Sequence, residues 1–281
     1  MQVVETVAQV VAACREARRP LGLVPTMGAL HEGHLSLVRR ARLENATVAA
    51  SVFVNPAQFG PREDLAAYPR DLQRDLDLLR AEGTDLVFAP PLEEVYPPGF
   101  DTYVEPGEVA INLEGAHRPG HFRGVATVVT KLFAILRPDR AYFGQKDGQQ
   151  VAVVRRLNAD LDLGVEVVVC PTVRESDGLA MSSRNVYLNP EERRAATVLY
   201  RALCRARDLY QQGERDAARL RRAMEEVLRQ EPLARTDYVS IADPDTIQEL
   251  ERVEGPAMAS LAVRIGRTRL IDNFLLGRDL S

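Results

Sequence analysis

Short apolar segments alternate with amphipathic ones between Leu21 and Val173, and this alternation limits the folds that the chain can adopt. Five apolar segments have the length of β-strands: LGLVPT, TVAASVFVN, DLVFAP, AYFG and VEVVVCPTV. Segments such as LSLVRRARLE and DLQRDLDLLRAEG, which separate them, have the apolar spacing of helices. Near-continuous apolar runs are typical of parallel strands covered on both faces, and crossovers between such strands are right-handed. The sequence therefore predicts an α/β fold built on a parallel sheet.

The character of the sequence changes from Pro190 onward. EERRAATVLYRALCRARDLY and ERDAARLRRAMEEVLRQ each predict one helix, and DYVSIADP, ASLAVRI and TRLIDNFLL predict strands of a small sheet. Acidic residues interleave with the arginines, which indicates solvated helix faces rather than an RNA-binding surface. We therefore predict a Rossmann-like domain over residues 1–178, with helices on both faces of its sheet, followed by a smaller α+β domain over residues 179–281.

Composition excludes several classes of protein. A chain of 281 residues that is 46% apolar can bury a sizeable core, so it is not a disordered protein. A net charge of −4 argues against a protein that coats nucleic acid, and no apolar run approaches the roughly 18–20 residues of a membrane span. Cys14, Cys170 and Cys204 are odd in number and lack C-x-x-C spacing, and no export leader precedes them. We expect a cytoplasmic protein with a small-molecule partner and no role at nucleic acid or membrane.

Lysine and histidine are rare, and their positions are informative. Among 36 basic residues only Lys131 and Lys146 are lysines. We expect Lys131 at a solvated helix position, whereas Lys146 lies in the loop GQKD after a predicted strand and is a candidate for chemistry. All four histidines occur in HEGH and HRPGH. This concentration predicts one polar site, the alternative being structural histidines with satisfied hydrogen bonds.

The loop MGALHEGH predicts an anion site. Ligands of open parallel sheets bind beyond the carboxyl ends of the strands, where this loop, NPAQFG, GQKDGQQ and PTVRESDGLAMSSR are all expected. His31 and His34 are three residues apart, which places both rings beside the free N–H groups of a helix's first turn. An unperturbed imidazole pKa of about 6.5 would let either ring change charge near neutral pH. An ordinary surface pair is the alternative, and zinc fits less well because HEGH is not H-E-x-x-H.

The other loops offer groups that suit a phosphorylated ligand. Ser182, Ser183 and Arg184 provide two hydroxyls and a guanidinium for polyphosphate oxygens. The Lys146 ammonium can stabilise negative charge that develops during phosphoryl or adenylyl transfer. The amides of two further residues, Gln58 and Gln150, match a ligand with hydroxyls and a carboxylate, although either could be an ordinary surface glutamine.

With HEGH, NPAQF, GQKD and PTVRESDGLAMSSRN in this order, the chain resembles the pantothenate synthetases, or pantoate–β-alanine ligases, of the nucleotidyltransferase superfamily with an HxGH loop. The resemblance runs from Leu23 to Leu188. It implies an enzyme of coenzyme A biosynthesis in which ATP adenylates the carboxylate of (R)-pantoate and releases pyrophosphate. The amine of β-alanine then displaces AMP to give pantothenate. The resemblance also implies Mg²⁺ with ATP, a homodimer, and a C-terminal domain that covers the nucleotide site.

The resemblance assigns roles to individual residues. Catalysis would depend on His34 as proton donor, with His31 and Lys146, while Gln58 and Gln150 would hold (R)-pantoate and Gln58 would also border β-alanine. Residues of four loops would contact ATP: Met27, Gly28, Ala29, Leu30, His31, Glu32, Gly33, His34, Gly144, Gln145, Lys146, Asp147, Val173, Met181, Ser182, Ser183 and Arg184. No protein ligand for the metal is expected, because Mg²⁺ is held largely by phosphate oxygens and water. His117 and His121 receive no definite role.

Two other functions stay open at this point. Another adenylyl- or cytidylyltransferase of the superfamily would transfer the nucleotide to a phosphate, although the paired glutamines and the GQKD loop weigh against it. A non-catalytic metal- or nucleotide-binding regulator would use the four histidines instead.

Overall fold

The computed structural model describes residues 1–61 and 63–277, which form two β-sheets. The larger sheet contains β1 (Gln2–Val4), β2 (Leu21–Thr26), β3 (Thr47–Val52), β4 (Leu86–Phe88), β5 (Arg140–Gly144) and β6 (Glu166–Cys170). Its order is β1-β4-β3-β2-β5-β6, and all of these neighbours are parallel. The predicted parallel sheet is confirmed. Strand β1 is an addition that the sequence pattern does not predict, because its three residues include one buried side chain, Val4.

Helices cover both faces of this sheet, as predicted. The helices up to β6 are α1 (Val7–Glu16), α2 (Glu32–Glu44), α3 (Leu72–Ala81), α4 (Leu92–Val95), α5 (Glu114–His117), α6 (His121–Leu136) and α7 (Gly148–Asp160). Side chains of α2 and α3 pack with Val24 and Val48 in one apolar cluster. Side chains of α1, α6 and α7 pack with Leu23 and Ala49 in another. Because successive strand residues point to opposite faces, these neighbouring positions supply two separate cores.

The C-terminal region is the predicted smaller α+β unit. Helices α8 (Pro190–Ala195), α9 (Val198–Gln211) and α10 (Ala217–Arg229) pack on the antiparallel strands β7 (Ala234–Ala242), β8 (Ala257–Ile265) and β9 (Thr268–Leu276). The prediction of a single helix over EERRAATVLYRALCRARDLY is wrong, because the segment forms α8 and α9. Between them the Thr197 hydroxyl donates to the carbonyl of Arg194, a local bond that competes with a continuous helix.

The order of the larger sheet reverses between β2 and β5, where the loops that should carry chemistry begin. Strand β2 is in register with β3 along all six of its residues. With β5, only two residue pairs of the described sheet are in register: Gly22 with Arg140, and Leu23 with Ala141. The two strands therefore separate before their carboxyl ends, which leaves a crevice of the kind that binds ligands in doubly wound sheets.

A close contact between α6 and the loop after β3 fixes one wall of this crevice. A Cβ on Gly124 would lie 2.5 Å from the backbone nitrogen of Gln58 and closer still to the carbonyl of Ala57. The side-chain nitrogen of Asn55 donates to the carbonyl of Gly124 at 3.0 Å. The loop NPAQF can lie against α6 in this way because position 124 has no side chain.

We predict that Gly124→Ala lowers the free energy of unfolding by about 1–3 kcal/mol, because the neighbours that must move are backbone atoms. Gly255→Ala is the matched control, since its added Cβ would meet none of the described atoms within 4 Å. Urea unfolding of both variants measures the difference. Equal stability of the two variants would contradict the close contact.

Candidate active site

A cavity of about 170 Å³ lies at the crevice, beyond the carboxyl ends of β2, β3, β5 and β6. Its wall includes residues from all four of the loops singled out in the sequence: Met27, His31, Gly33, His34, Gln58, Gly144, Lys146, Asp147, Gln150, Val173, Met181, Ser182, Ser183 and Arg184. A larger cavity of about 790 Å³ extends toward β9 and shares Lys146, Asp147, Ser182 and Arg184 with the first. Segments distant in sequence thus surround one continuous space.

Five residues expected at ATP lie outside the wall of the smaller cavity, as far as the described residues define it: Gly28, Ala29, Leu30, Glu32 and Gln145. Leu30 belongs to the apolar core, with 1% of its surface exposed. Glu32 is exposed and pairs with Arg39 on the next turns of α2. Gln145 is buried and directs its amide away from the loop, toward β9. The side chains of Leu30, Glu32 and Gln145 are thus directed away from the smaller cavity.

Asp75 of α3 holds the loop between β2 and α2, although no motif in the sequence marks it. Its two carboxylate oxygens accept the N–H groups of Ala29 and Leu30, both at 2.8 Å. Ala29 has φ +51°, a left-handed conformation that costs a non-glycine residue energy and persists only when its surroundings impose it. Burial raises the pKa of Asp75, and the two N–H bonds oppose that rise. The signal in the sequence is an aspartate four residues before Leu79 on the buried face of α3.

His31 and His34 lie together at the start of α2, with ring centroids 4.1 Å apart. His31 is the N-cap, and its Nδ1 accepts the N–H of Gly33 at 3.1 Å. Nδ1 of His34 accepts the N–H of His31 at 3.4 Å. A backbone N–H can only donate, so each Nδ1 is unprotonated and each neutral ring carries its proton on Nε2. Both rings therefore offer an Nε2–H donor beside the first turn of the helix.

The expectation that these rings titrate near neutral pH is wrong. Burial lowers the pKa of His31 to about 4, and the nearby charge of Lys146 contributes. Burial lowers the pKa of His34 to about 3, with further contributions from His31 and Lys146. Both imidazoles are thus neutral hydrogen-bond donors in the free protein at pH 7.

His121 is a buried structural histidine that also lines the cavity. Its Nδ1 lies 2.9 Å from the carbonyl oxygen of Gln58, which can only accept, so this ring carries its proton on Nδ1. Its Nε2 lies 3.1 Å from a guanidinium nitrogen of Arg118, which can only donate. Burial lowers the pKa of His121 to about 4, and Arg118 acts in the same direction. His117, by contrast, lies against the Tyr238 ring at 5.7 Å between centroids and lines the larger cavity.

The cationic groups of the site are paired with acidic ones. The Lys146 ammonium lies 3.5 Å from the carboxylate of Asp147. Arg184 donates two hydrogen bonds to Asp64, at 2.8 and 3.0 Å. Arg118 makes the same two-bond contact with Glu63, at 2.7 and 2.8 Å. Glu63 and Asp64 are neighbours in the loop after β3, so one short acidic segment faces both guanidinium groups.

Gln58 has a well-defined orientation. Its side-chain oxygen Oε1 accepts from the side-chain nitrogen of Asn55 at 3.0 Å, and its side-chain nitrogen Nε2 lies 2.9 Å from the sulfur of Met27. Asn55 is in turn the acceptor for the Tyr96 hydroxyl at 2.8 Å. Because the thioether of Met27 is a weak acceptor, the side-chain amide of Gln58 stays able to donate a hydrogen bond to a ligand.

Comparison with known proteins identifies the family. Residues 1–275 match the family model described as pantoate-beta-alanine ligase. The chain belongs to this family. It is 65% identical to pantothenate synthetase from Roseiflexus sp. strain RS-1 over 276 residues, which cover 98% of this chain and 99% of that protein.

Solved structures of the family have the same fold. The crystal structure of pantothenate synthetase from Thermus thermophilus superposes with a TM-score of 0.93 at 55% identity, covering 98% of this chain and 99% of that one. The pantoate-beta-alanine ligase from Francisella tularensis, solved in complex with beta-gamma ATP and beta-alanine, has a TM-score of 0.80 at 36% identity and covers 98% and 97%. The predicted fold and the predicted family are both confirmed.

We predict opposite tautomers for the buried histidines. Long-range ¹H–¹⁵N spectra at about pH 6 should show His31 and His34 protonated on Nε2 and His121 on Nδ1, because their hydrogen-bond partners fix these states. All three folded pKa values lie below the ordinary value of 6.5. Their contribution to stability is therefore complete above pH 6.5 and is lost as the pH falls toward 4. A cationic pattern for His31 or His34 at pH 6 would refute this assignment.

We predict that Asp75→Asn loosens the loop, because an amide offers one acceptor oxygen where two N–H groups require two. The unpaired N–H should reduce stability by about 1–3 kcal/mol and raise the KM for ATP. Asp71→Asn is the control on the same helix, since asparagine caps a helix as well as aspartate does. Steady-state kinetics and urea unfolding of both variants provide the measurement; an unchanged KM with Asp75→Asn would contradict the role.

Proposed function

We propose that this protein condenses (R)-pantoate with β-alanine to give pantothenate, with ATP as the activating substrate and pantoyl adenylate as the intermediate. The observation that carries the proposal is the meeting of HEGH, Gln58, GQKD and MSSR at one cavity, in a chain of the pantoate-beta-alanine ligase family. The site offers donors and cations for a polyphosphate and amides for a hydroxylated carboxylate.

In the first step, a carboxylate oxygen of pantoate attacks the α-phosphorus of ATP. The bond between this phosphorus and the oxygen bridging to the β-phosphate breaks, and pyrophosphate leaves with that electron pair. Negative charge therefore grows on the α-phosphate and on the leaving group, and groups that are already in place stabilise it without reorganisation. Lys146 supplies a full charge, and His31 and His34 supply neutral Nε2–H donors beside the N-terminus of α2.

In the second step, the amine of β-alanine attacks the acyl carbon of the adenylate. The amide bond forms, AMP leaves with the electrons of the acyl–oxygen bond, and the nitrogen loses a proton. Gln58 and Gln150 line the same cavity and hold the pantoyl group, with Gln58 at the border of the amine's approach. Positioning of the two substrates accounts for much of the rate, because it replaces a bimolecular encounter with a bound geometry.

Contacts to the β- and γ-phosphates are assigned to the segment MSSR. Ser182 is the N-cap of a 3-10 turn over Ser183–Tyr187, and its hydroxyl accepts the N–H of Arg184. Arg184 contributes to phosphate binding after its bonds to Asp64 are exchanged for bonds to phosphate oxygens. The resemblance assigns Val173 to adenine through its backbone. Its carbonyl accepts the N–H of Met181, which orders this wall.

Mg²⁺ enters with ATP under this proposal. Among residues 1–61 and 63–277 no three His, Cys, Asp or Glu side chains are grouped so that they could hold a metal ion. We assign Mg²⁺ no protein ligand, because phosphate oxygens and water would largely hold it. The ion would neutralise phosphate charge during adenylation.

Three further assignments accompany the function. The domains are placed at residues 1–178 and 179–281, supported by Leu179, which belongs to the apolar cluster of the C-terminal sheet; residues 278–281 lie outside the described part. The resemblance supports a homodimer, which light scattering would test, and a cytoplasmic location. No helix among the described residues has the length and apolarity that crossing a membrane requires.

The experiment that tests the function measures pyrophosphate release from ATP, Mg²⁺ and pantoate, with and without β-alanine. We expect release that depends on pantoate, and pantothenate only when β-alanine is added. A phosphate-accepting nucleotidyltransferase would show no pantoate dependence, and that result would refute the proposal.

Within this assay we predict that Lys146→Ala slows adenylate formation by about 10²–10³-fold, equivalent to ~2.7–4 kcal/mol in the barrier, while ATP binding is largely retained. Lys131→Ala is the matched control, because Lys131 lies over the Phe100 ring at 4.8 Å and outside both cavities among the described residues. Equal rates for the two variants would contradict the role proposed for Lys146.

A further inference from the structure

A strand of the C-terminal unit reaches the turn that carries Lys146. The side-chain nitrogen of Asn273, in β9, donates to the carbonyls of Gln145 and Lys146 at 2.8 and 2.9 Å. Its side-chain oxygen accepts from the amide of Gln145 at 2.8 Å. Asn273 and Gln145 are 4% and 7% exposed, so these three bonds are shielded from water. A single side chain therefore uses both of its amide protons on the backbone of the turn that carries Lys146.

The orientation of Asn273 is itself fixed. Its backbone N–H donates to the carboxylate of Asp272 at 2.8 Å. The same carboxylate accepts two bonds from Arg174, at 2.6 and 2.9 Å, in the loop that follows β6. A Cβ on Gly148 would lie 3.1 Å from the side-chain nitrogen of Asn273 and 2.5 Å from the sulfur of Met258. The start of α7 thus lies against β8 and β9 with no space for a side chain at position 148.

The turn that Asn273 contacts has little support of its own. It is a 3-10 turn over Gln145–Asp147, and no side chain caps it. The side chain of Lys146 is long and flexible and starts from this turn. A shift of its Cα therefore displaces the ammonium group as well. Asn273 holds two carbonyl groups, that of Gln145, which precedes Lys146, and that of Lys146 itself.

We propose that Asn273 is a positioning residue for Lys146, and that it makes β9 part of the apparatus for adenylate formation. The inference rests on the proposed function and deepens it. Asn273 acts through the backbone of Lys146 and supplies no group to the substrate. A purely structural bond between the two units would stabilise the protein without affecting the geometry of Lys146, and the experiment separates these roles.

The kinetic test compares Asn273→Asp and Asn273→Ser with the wild-type protein. Aspartate keeps the shape of asparagine but loses both amide protons and presents oxygens to two carbonyl oxygens. Serine is smaller and uncharged, so it reports on the same bonds if the aspartate variant fails to fold. We expect the rate constant of adenylate formation to fall by about 10²-fold, as for a small displacement of a catalytic group, with a KM for ATP that changes by less than about threefold.

Asn158→Asp is the matched control. Asn158 is near the end of α7 and makes reciprocal bonds with the backbone of Val165, at 2.9 and 3.1 Å, so it lies at the opposite end of this helix from the turn that carries Lys146. It should lose stability and keep its rate constant. A loss of rate in Asn158→Asp that equals the loss at position 273 would overturn the proposal.

A second measurement observes Lys146 directly and does not require turnover. The chain has two lysines, so reductive methylation with ¹³C-formaldehyde gives two lysine signals besides that of the N-terminal amine. The proposal requires that the Lys146 signal shift in Asn273→Ser while the Lys131 signal stays unchanged. An unmoved Lys146 signal, or an unchanged rate constant in a folded position-273 variant, would overturn it. Wild-type protein that makes no adenylate would refute the proposed function instead, and the lysine spectra would still decide the positioning role.

Discussion

The separation of β2 from β5 is the constraint on which the site depends. Parallel strands deliver their following loops to the same edge of the sheet, and the reversal of strand order sends the loops after β2 and β5 in diverging directions. Because the register between these strands ends after Leu23–Ala141, the two loops surround a space instead of closing it. The loop between β2 and α2, the GQKD turn and the loops after β3 and β6 are arranged around that gap.

Burial and charge act together within the gap. A buried imidazole loses its proton readily, and the nearby ammonium of Lys146 reinforces this effect, so the two rings of HEGH are neutral and their tautomers are set by backbone N–H groups. Full positive charge is thus concentrated in Lys146, Arg118 and Arg184. Because the histidine donors are neutral, several donors could surround a phosphate chain without repelling one another.

Much of this arrangement follows from the sequence, and the exceptions have physical causes. Apolar periodicity located five of the six strands of the large sheet and the helices on its faces, because burial on both sides leaves a strong pattern. The motifs located the loops, yet they could not separate side chains that face the cavity from those, such as Leu30, that face the core. Asp75 and Asn273 escaped notice because each acts on backbone atoms of a segment distant in sequence. No local pattern encodes such a contact. The pKa values of the histidines likewise depend on the assembled surroundings.

The acidic pair Glu63–Asp64 affects the energetics of binding at this wall of the cavity. Each carboxylate makes a two-bond contact with one guanidinium group, Glu63 with Arg118 and Asp64 with Arg184. Under the proposed function, phosphate oxygens of ATP must supply equivalent bonds to Arg184 before Asp64 can be released to water. Binding at this wall would then be an exchange of ionic partners instead of the filling of an empty cationic site, so its net gain in free energy is smaller than the charge of Arg184 alone suggests.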